Sequence, residues 1–343
     1  MLISRKKRLN KATIIIIGLI MLLLLCTSCS DKGAQTLQPN PTPETVGEKE
    51  ITQNASEEHS DASKGQPDAM EGQLDTSKDR PDAPEPLQNE ELNVYFFHTS
   101  EEADAILLSA SGVNIMIDTG VIEDAPELLD NLREKGIDHL DILVLTHPDK
   151  DHIGGAAQVL NTIQTDRLIR TAAVKNSEEQ MLLNNAEQRE NMIIDVPAEN
   201  EKFEFGELEI TVYPPKQAEY EEINDYSIAV LATYGGRSFF FPGDAEAVRL
   251  AELLEEDLPQ VDVYKLPHHG RDSKKAGKLL DALNPKFCVV TALKPEKAVR
   301  KDIEEIGATT ISTLEGEIKC TVNASSGELR IDQLKLVPAG NEN

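Results

Sequence analysis

From Leu92 onward the chain is punctuated by short apolar runs between charged stretches. Val94-Tyr95-Phe96-Phe97, Ala105-Ile106-Leu107-Leu108, Val113 to Ile117 and Ile142 to Leu145 have the length and continuity of buried strands. Apolar residues at helical spacing predict helices over Ala125–Lys135, Gly154–Thr162, Ala245–Glu256 and Lys275–Leu283. Strands in quick succession, then a helix, then a strand ending in a charged loop recur in the C-terminal half, which predicts two sheets flanked by helices. Two stretches break the pattern. Ala12 to Leu25 is continuously apolar behind the basic cluster Arg5, Lys6, Lys7, Arg8 and Lys11. Ser30 to Glu91 has almost no aromatic or β-branched residues and is rich in Pro, Glu, Asp, Ser, Gln and Thr, so it is expected to be disordered.

Composition sharpens this division into 1–29, 30–91 and 92–343. A basic n-region and an apolar h-region form a secretory signal, and Cys26-Thr27-Ser28-Cys29 resembles a bacterial lipobox, with Cys26 where Leu is usual. Cys29 would be the lipidated first residue of the mature chain; the competing reading is an uncleaved anchor, with an apolar run short for a spanning helix. Either exports the rest and tethers it to the outer face of a bacterial membrane. The 30–91 linker, with 15 acids and 5 bases and the solvated His59, is expected to extend as a stalk. Leu92 to Asn343 carries 46 acids and 24 bases within a chain of formal charge -27. Such a surface argues against coating duplex DNA, whose non-specific binding relies on Lys and Arg. Four cysteines, two of them in the leader, exclude a disulfide-dense scaffold.

Candidate chemistry sits where strands end. Leu140 to Thr146 runs into His147-Pro148-Asp149-Lys150-Asp151-His152-Ile153-Gly154-Gly155, with four possible metal ligands in six residues. Unpaired carboxylates packed so densely are costly without a cation among them. Imidazole plus carboxylate suits zinc, and the carboxylate excess tolerates manganese or iron.

His147-x-Asp149-x-Asp151-His152 resembles the HxHxDH signature of the metallo-β-lactamase fold, with Asp149 in place of the second His. Ile117-Asp118-Thr119-Gly120, Asn224-Asp225-Tyr226-Ser227, Phe241-Pro242-Gly243-Asp244 and Leu266-Pro267-His268-His269-Gly270 follow in an order similar to the hydrolase domain of ComEC-type competence proteins and their stand-alone relatives. The resemblance implies an α/β fold, a four-layer αβ/βα sandwich, with two divalent metals, zinc or manganese, at one sheet edge. His147 and Asp149 would hold one metal and Asp151 and His152 the other; Asp244 would bridge them, and His269 or His268 would complete the second site. Asp118 would orient the His loop. A water between the metals would lose its proton near neutral pH and act as nucleophile, oriented by Asp151. Asp244 could instead cap a helix.

Departures from the family pattern bear on function. Asn224, Asp225 and Ser227 stand where many members have a further His, leaving Asn224 and Ser227 as substrate-side candidates or Asx-turn residues. Arg271-Asp272-Ser273 follows His-His-Gly, with Ser273 as a displaced hydroxyl, and Ala292-Leu293-Lys294-Pro295 replaces the family's Gly-His-Pro. His98 and His139 read as loop or connector residues. Cys288 and Cys320 read as buried thiols, a disulfide between them being open. Lys150, Arg237, Lys265 and Arg271 either focus anions on the site or pair with surface acids. Three functions remain: a tethered metal-dependent hydrolase of phosphodiesters or similar esters, acting on a small molecule or short nucleic-acid-like strand; a metal-binding or sensory module without turnover; and a lactone, thioester or phosphorylcholine-type ester hydrolase. Apart from the leader, no apolar run is long enough to span a bilayer.

Overall fold

The computed structural model describes residues 91–188 and 192–335; the expected signal segment with Cys29, and the linker up to residue 90, lie outside the described residues. In chain order the strands are β1 (Glu91–Phe96), β2 (Ala105–Ala110), β3 (Val113–Thr119), β4 (His139–Leu145), β5 (Gln164–Arg170), β6 (Ile193–Asp195), β7 (Glu201–Phe205), β8 (Leu208–Tyr213), β9 (Ala229–Tyr234), β10 (Arg237–Phe241), β11 (Val263–Lys265), β12 (Phe287–Val290), β13 (Thr309–Ser312), β14 (Gly316–Asn323) and β15 (Leu329–Lys335). The α-helices are α1 (Ala125–Glu134), α2 (Lys150–Ile153), α3 (Ala156–Thr162), α4 (Glu178–Ala186), α5 (Ala247–Leu253), α6 (Ala276–Leu283) and α7 (Lys297–Ile306). The four predicted helices are present but shorter, and α2, α4 and α7 add to them.

The strands form two sheets, one ordered β15-β14-β1-β2-β3-β4-β5-β6 and the other β13-β12-β11-β10-β9-β8-β7. Each changes from antiparallel to parallel pairing midway, after β3 in the first and after β10 in the second. Parallel pairing needs a crossover, and the intervening helices supply it. Phe239, Phe240 and Phe241 show why this sequence makes a sandwich. With side chains alternating across a strand, Phe239 and Phe241 enter the core between the sheets, while Phe240 packs against Leu250, Leu279 and Leu280 under the second sheet's helices. A run of three aromatics suits a strand covered on both faces. The other outer layer packs Leu128, Leu132, Val159 and Leu160 against Leu143 and Leu168 of the first sheet. Truncating a fully buried Phe such as Phe241 to Ala would cost about 3–5 kcal/mol.

Cys288 and Cys320 are free and buried, in different core clusters, with their thiols pushed up to about 12 by burial. No disulfide links them. No helix among the described residues is long and apolar enough to cross a membrane.

Candidate metal centre

The C-terminal ends of β3 and β4 from one sheet and of β10, β11 and β12 from the other meet at one edge of the sandwich. Strand β4 breaks at Pro148, and Gly154-Gly155 allows the next turn to press on the chain after β3. A Cβ on Gly154 would lie 2.5 Å from the Ile122 nitrogen, and one on Gly155 2.5 Å from the Thr119 oxygen. These contacts leave room for no side chain.

Asp151, His152, Asp244 and His269 each offer a ligand atom, all within 4.8 Å of one another. His152 Nε2 lies 3.3 Å from Asp244 Oδ1, and His269 Nε2 lies 3.1 Å from both Asp244 Oδ2 and Asp151 Oδ2. His152 and His147 are buried, and the Nε2 atom of each lacks a hydrogen-bond partner; the close approach of His152 to Asp244 is off the hydrogen-bonding direction. Buried polar atoms are rarely left unsatisfied, so two orphaned imidazole nitrogens facing carboxylates fit a divalent cation.

Both converging imidazoles are aimed from behind. Asp118, in a left-handed conformation at φ 57°, accepts from the Thr146 amide and hydroxyl at 2.8 Å each and from His152 Nδ1 at 2.7 Å. On the other sheet the Thr291 hydroxyl donates to Asp104 at 2.7 Å and so receives His269 Nδ1–H at 2.8 Å. A proton fixed on each Nδ1 turns each Nε2 lone pair inward.

Charge is nearly balanced by the side chains themselves. Burial opposes a charged His152, but Asp244 and Asp118 raise its pKa well above the ordinary value. Burial likewise works against His269, yet Asp244 and Asp151 push it up to about 9. Burial also opposes ionisation of Asp244 and Asp151. His269, His152 and Lys265 nevertheless hold Asp244 well below the usual carboxylate range, and His269 and His152 hold Asp151 below it. Burial keeps His147 well below the imidazole range, whereas Asp118 is raised by burial.

The remaining candidates separate clearly. Asp149 is at the margin, with Oδ2 4.0 Å from His147 Nε2 and Oδ1 accepting from Lys175 at 2.8 Å. His268 lies outside the four-residue cluster; its Nδ1 is 3.0 Å from Glu246 and its Nε2 3.4 Å from Asn224. His268, His269 and Gly270 are consecutive left-handed residues, φ 47°, 52° and 79°. Two non-glycine residues in that region store backbone strain, as functional turns often do. Ser227 is fully buried and accepts from the Asp244 amide at 3.1 Å, so it supports the loop and does not face substrate. Asp225 caps α5, accepting from Glu246 and Arg249 amides at 3.0 Å; Asp244 does not cap it. Asn224 holds Glu246 at 2.9 Å. Ser273 is partly buried, its carbonyl bonded to the Ala276 amide at the start of α6.

Of the four cations, Lys150 and Arg271 pair with Glu101 and Glu102, and Arg237 with Asp262. Lys265 differs from both readings of it. It is fully buried, 3.2 Å from Asp244 Oδ1 and in contact with Asp104. The sequence singled out neither Asp104 nor Thr291 as functional neighbours, and it named Lys265 without anticipating its burial. Their apolar flanks, Val263 to Leu266 and Val289 to Ala292, were the available signal. His139 begins β4 and pairs with Asp166 at 3.1 Å, more than a plain connector.

The family profile of the metallo-beta-lactamase superfamily matches residues 100–289. The chain belongs to the metallo-beta-lactamase superfamily. Its fold is thus the hydrolase-like, metal-binding sandwich of that superfamily. Its similarity is to competence-type members: it is 28% identical over 169 residues to ComE operon protein 3 of Bacillus subtilis, covering 49% of this chain and 22% of that protein. It is 26% identical over 193 residues to Recombination protein 2 of Haemophilus influenzae, 55% and 23% of the two chains. The chain thus spans less than a quarter of the length of these relatives. Among solved structures, the metallo-beta-lactamase fold protein YhfI from Bacillus subtilis superposes with TM-score 0.45 and 13% identity, over 71% of this chain and 99% of that one.

Proposed function

We propose that this superfamily member is an exported, membrane-tethered, metal-dependent hydrolase acting on phosphodiesters, with a short nucleic-acid-like strand or a small molecule as substrate. The observation that carries the reading is the convergence of Asp151, His152, Asp244 and His269, with the buried Nε2 atoms of His152 and of neighbouring His147 left without a hydrogen-bond partner. The name of one relative, Recombination protein 2, favours a phosphodiester. The basic and apolar leader with Cys29 supports export and a lipid anchor.

His147, Asp151, His152, Asp244 and His269 would hold divalent metal, with Asp149 joining His147 if Lys175 releases it. Bound metal would acidify water and neutralise negative charge on a phosphoryl oxygen. Asp118 and, through Thr291, Asp104 keep the two Nε2 atoms directed inward. Asp151 is the most exposed of the four clustered residues and stays ionised, so it accepts a hydrogen bond from incoming water and orients it. His268 stands on the rim, its ring fixed by Glu246 beside the entering substrate.

A second reading, a metal-binding or sensory module without turnover, is favoured by Lys265, whose ammonium already engages Asp244. Metal analysis and bis-p-nitrophenyl phosphate hydrolysis by the full chain, beside Asp244→Ala, separate the two. Hydrolysis that disappears in the variant supports the enzyme; metal without turnover supports the module; no metal after reconstitution sinks both.

A further inference from the structure

We infer that the face formed by the loop after His269, helix α6, the loop 291–296 and the first half of α7 docks on an anionic phospholipid surface. Between Arg271 and Lys301 there are nine basic residues and three acidic ones, a net of +6, in a domain (Leu92–Asn343) that carries -22 overall. Arg271, Lys286 and Lys301 are paired with Glu102, Asp262 and Glu305. Lys274, Lys275, Lys278, Lys294, Lys297 and Arg300 are exposed and have no acidic partner among the described residues. Neither α6 nor α7 has an acid in its first turn. Six solvated cations that close no ion pair outnumber the acids nearest them, Glu304 and Glu315 beside Lys294 and Arg300, and form a local field that selects an anionic partner.

Leu293 decides which anionic partner. It is 61% exposed, adjacent to Lys294 and four residues before Lys297. A hydrated polyanion offers an apolar side chain nothing, whereas a bilayer interface takes up both the cations and the leucine. The rest of the domain carries the opposite sign and is repelled from the same surface, so the contact has one orientation. That orientation presents the metal centre's rim to the bilayer. The Glu296 amide donates to the Gly270 carbonyl at 2.8 Å, and the Asp272 amide to Glu296 at 3.1 Å, tying the basic loops to the turn that carries His269. The inference needs neither bound metal nor turnover, so its failure is distinct from that of the proposed hydrolase.

The test is amide hydrogen exchange of the full chain on phosphatidylcholine vesicles and on vesicles of equal parts phosphatidylcholine and phosphatidylglycerol. Exchange across 272–278 and 293–301 should slow about threefold or more on the anionic vesicles only, and recover near 1 M salt, where the screening length is about 3 Å. The combined variant Lys274→Glu, Lys278→Glu, Lys297→Glu, Arg300→Glu, checked for an unchanged thermal midpoint, should lose the effect. Leu293→Ser should retain a weaker, fully salt-reversible form. Equal exchange on both vesicle types would overturn the inference. So would protection by a single-stranded oligonucleotide with none by vesicles, which would reassign the face to a nucleic-acid strand.

Discussion

The two sheets contribute to the metal centre in different ways. The first supplies His147, Asp149, Asp151 and His152 from one short loop and fixes His152 by direct contact with Asp118. The second supplies Asp244 and His269 from separate loops and fixes His269 at one remove, through Thr291 to Asp104. It also carries its own buried counter-charge, Lys265. The first half is therefore a ligand set in search of a cation, whereas the second is a partly neutralised support that stands before metal arrives.

The strongest way to break this contrast is to remove the residue both halves share. Asp244→Ala should reduce bound metal from about two equivalents to below one and abolish phosphodiester hydrolysis, read by elemental analysis and a chromogenic assay. Lys265→Met tests the counter-charge that the second half brings to Asp244 and to Asp104 of the first. It leaves buried carboxylates without their cation, so the metal-free chain should lose about 3–5 kcal/mol in urea unfolding, and the metal-loaded chain visibly less. Equal losses in both states would show that Lys265 is no substitute for metal.

Asp118→Ala and Thr291→Val compare direct with relayed orientation. Both should weaken metal binding, within about 10–100-fold, and Asp118→Ala should fall nearer the upper end. Reversal of that order in a chelator competition would refute the distinction.

Protonation gives a further handle. His152 and His269 both have raised folded-state values, His269 up to about 9 against an ordinary 6.5. The contribution of His269 to metal-free stability is therefore complete below 6.5 and is lost as pH rises through about 9, and that of His152, raised by Asp244 and Asp118, is lost in the same direction. Metal must displace the same protons, so apparent affinity should rise about tenfold per pH unit for each proton displaced across that interval. A pH-independent affinity would show that neither imidazole is a ligand. The smallest effect is expected for Lys175→Ala, which should change stability by less than about 1 kcal/mol because the pair is partly exposed. A rise in metal affinity would then mark Asp149 as a ligand held back by Lys175.

The same contrast explains what the sequence made legible. The first half was readable because its ligands are contiguous and follow an apolar strand that ends at Pro148. Asp244 and the His268-His269 pair were readable from short words at strand ends, but the choice between the two histidines required the left-handed turn that puts His269 inward and His268 toward Glu246. Lys265 looked like any lysine near a surface motif; its burial follows from β11 lying between β10 and β12. Asp104 lies 187 residues from the threonine it orients, a pairing no local pattern encodes. For Ser227 the sequence left a substrate contact and a turn role both open, and the bond it accepts from the Asp244 amide favours the supporting role. Helix α4 escaped notice because its polar Gln180 is among its buried residues, which blurs the apolar spacing.

The placement of β1 has a mechanical consequence. This first strand is not at the rim of its sheet; it is zipped along its length to β14 on one side and β2 on the other, both antiparallel. A load arriving at Glu91 from the preceding chain would act along the strand, so both hydrogen-bonded ladders would share it in shear. Peeling, which breaks bonds one at a time, would need an edge strand. The domain would thus take such a load through one of its most force-resistant elements, and tension would reach the metal centre only after two ladders had given way.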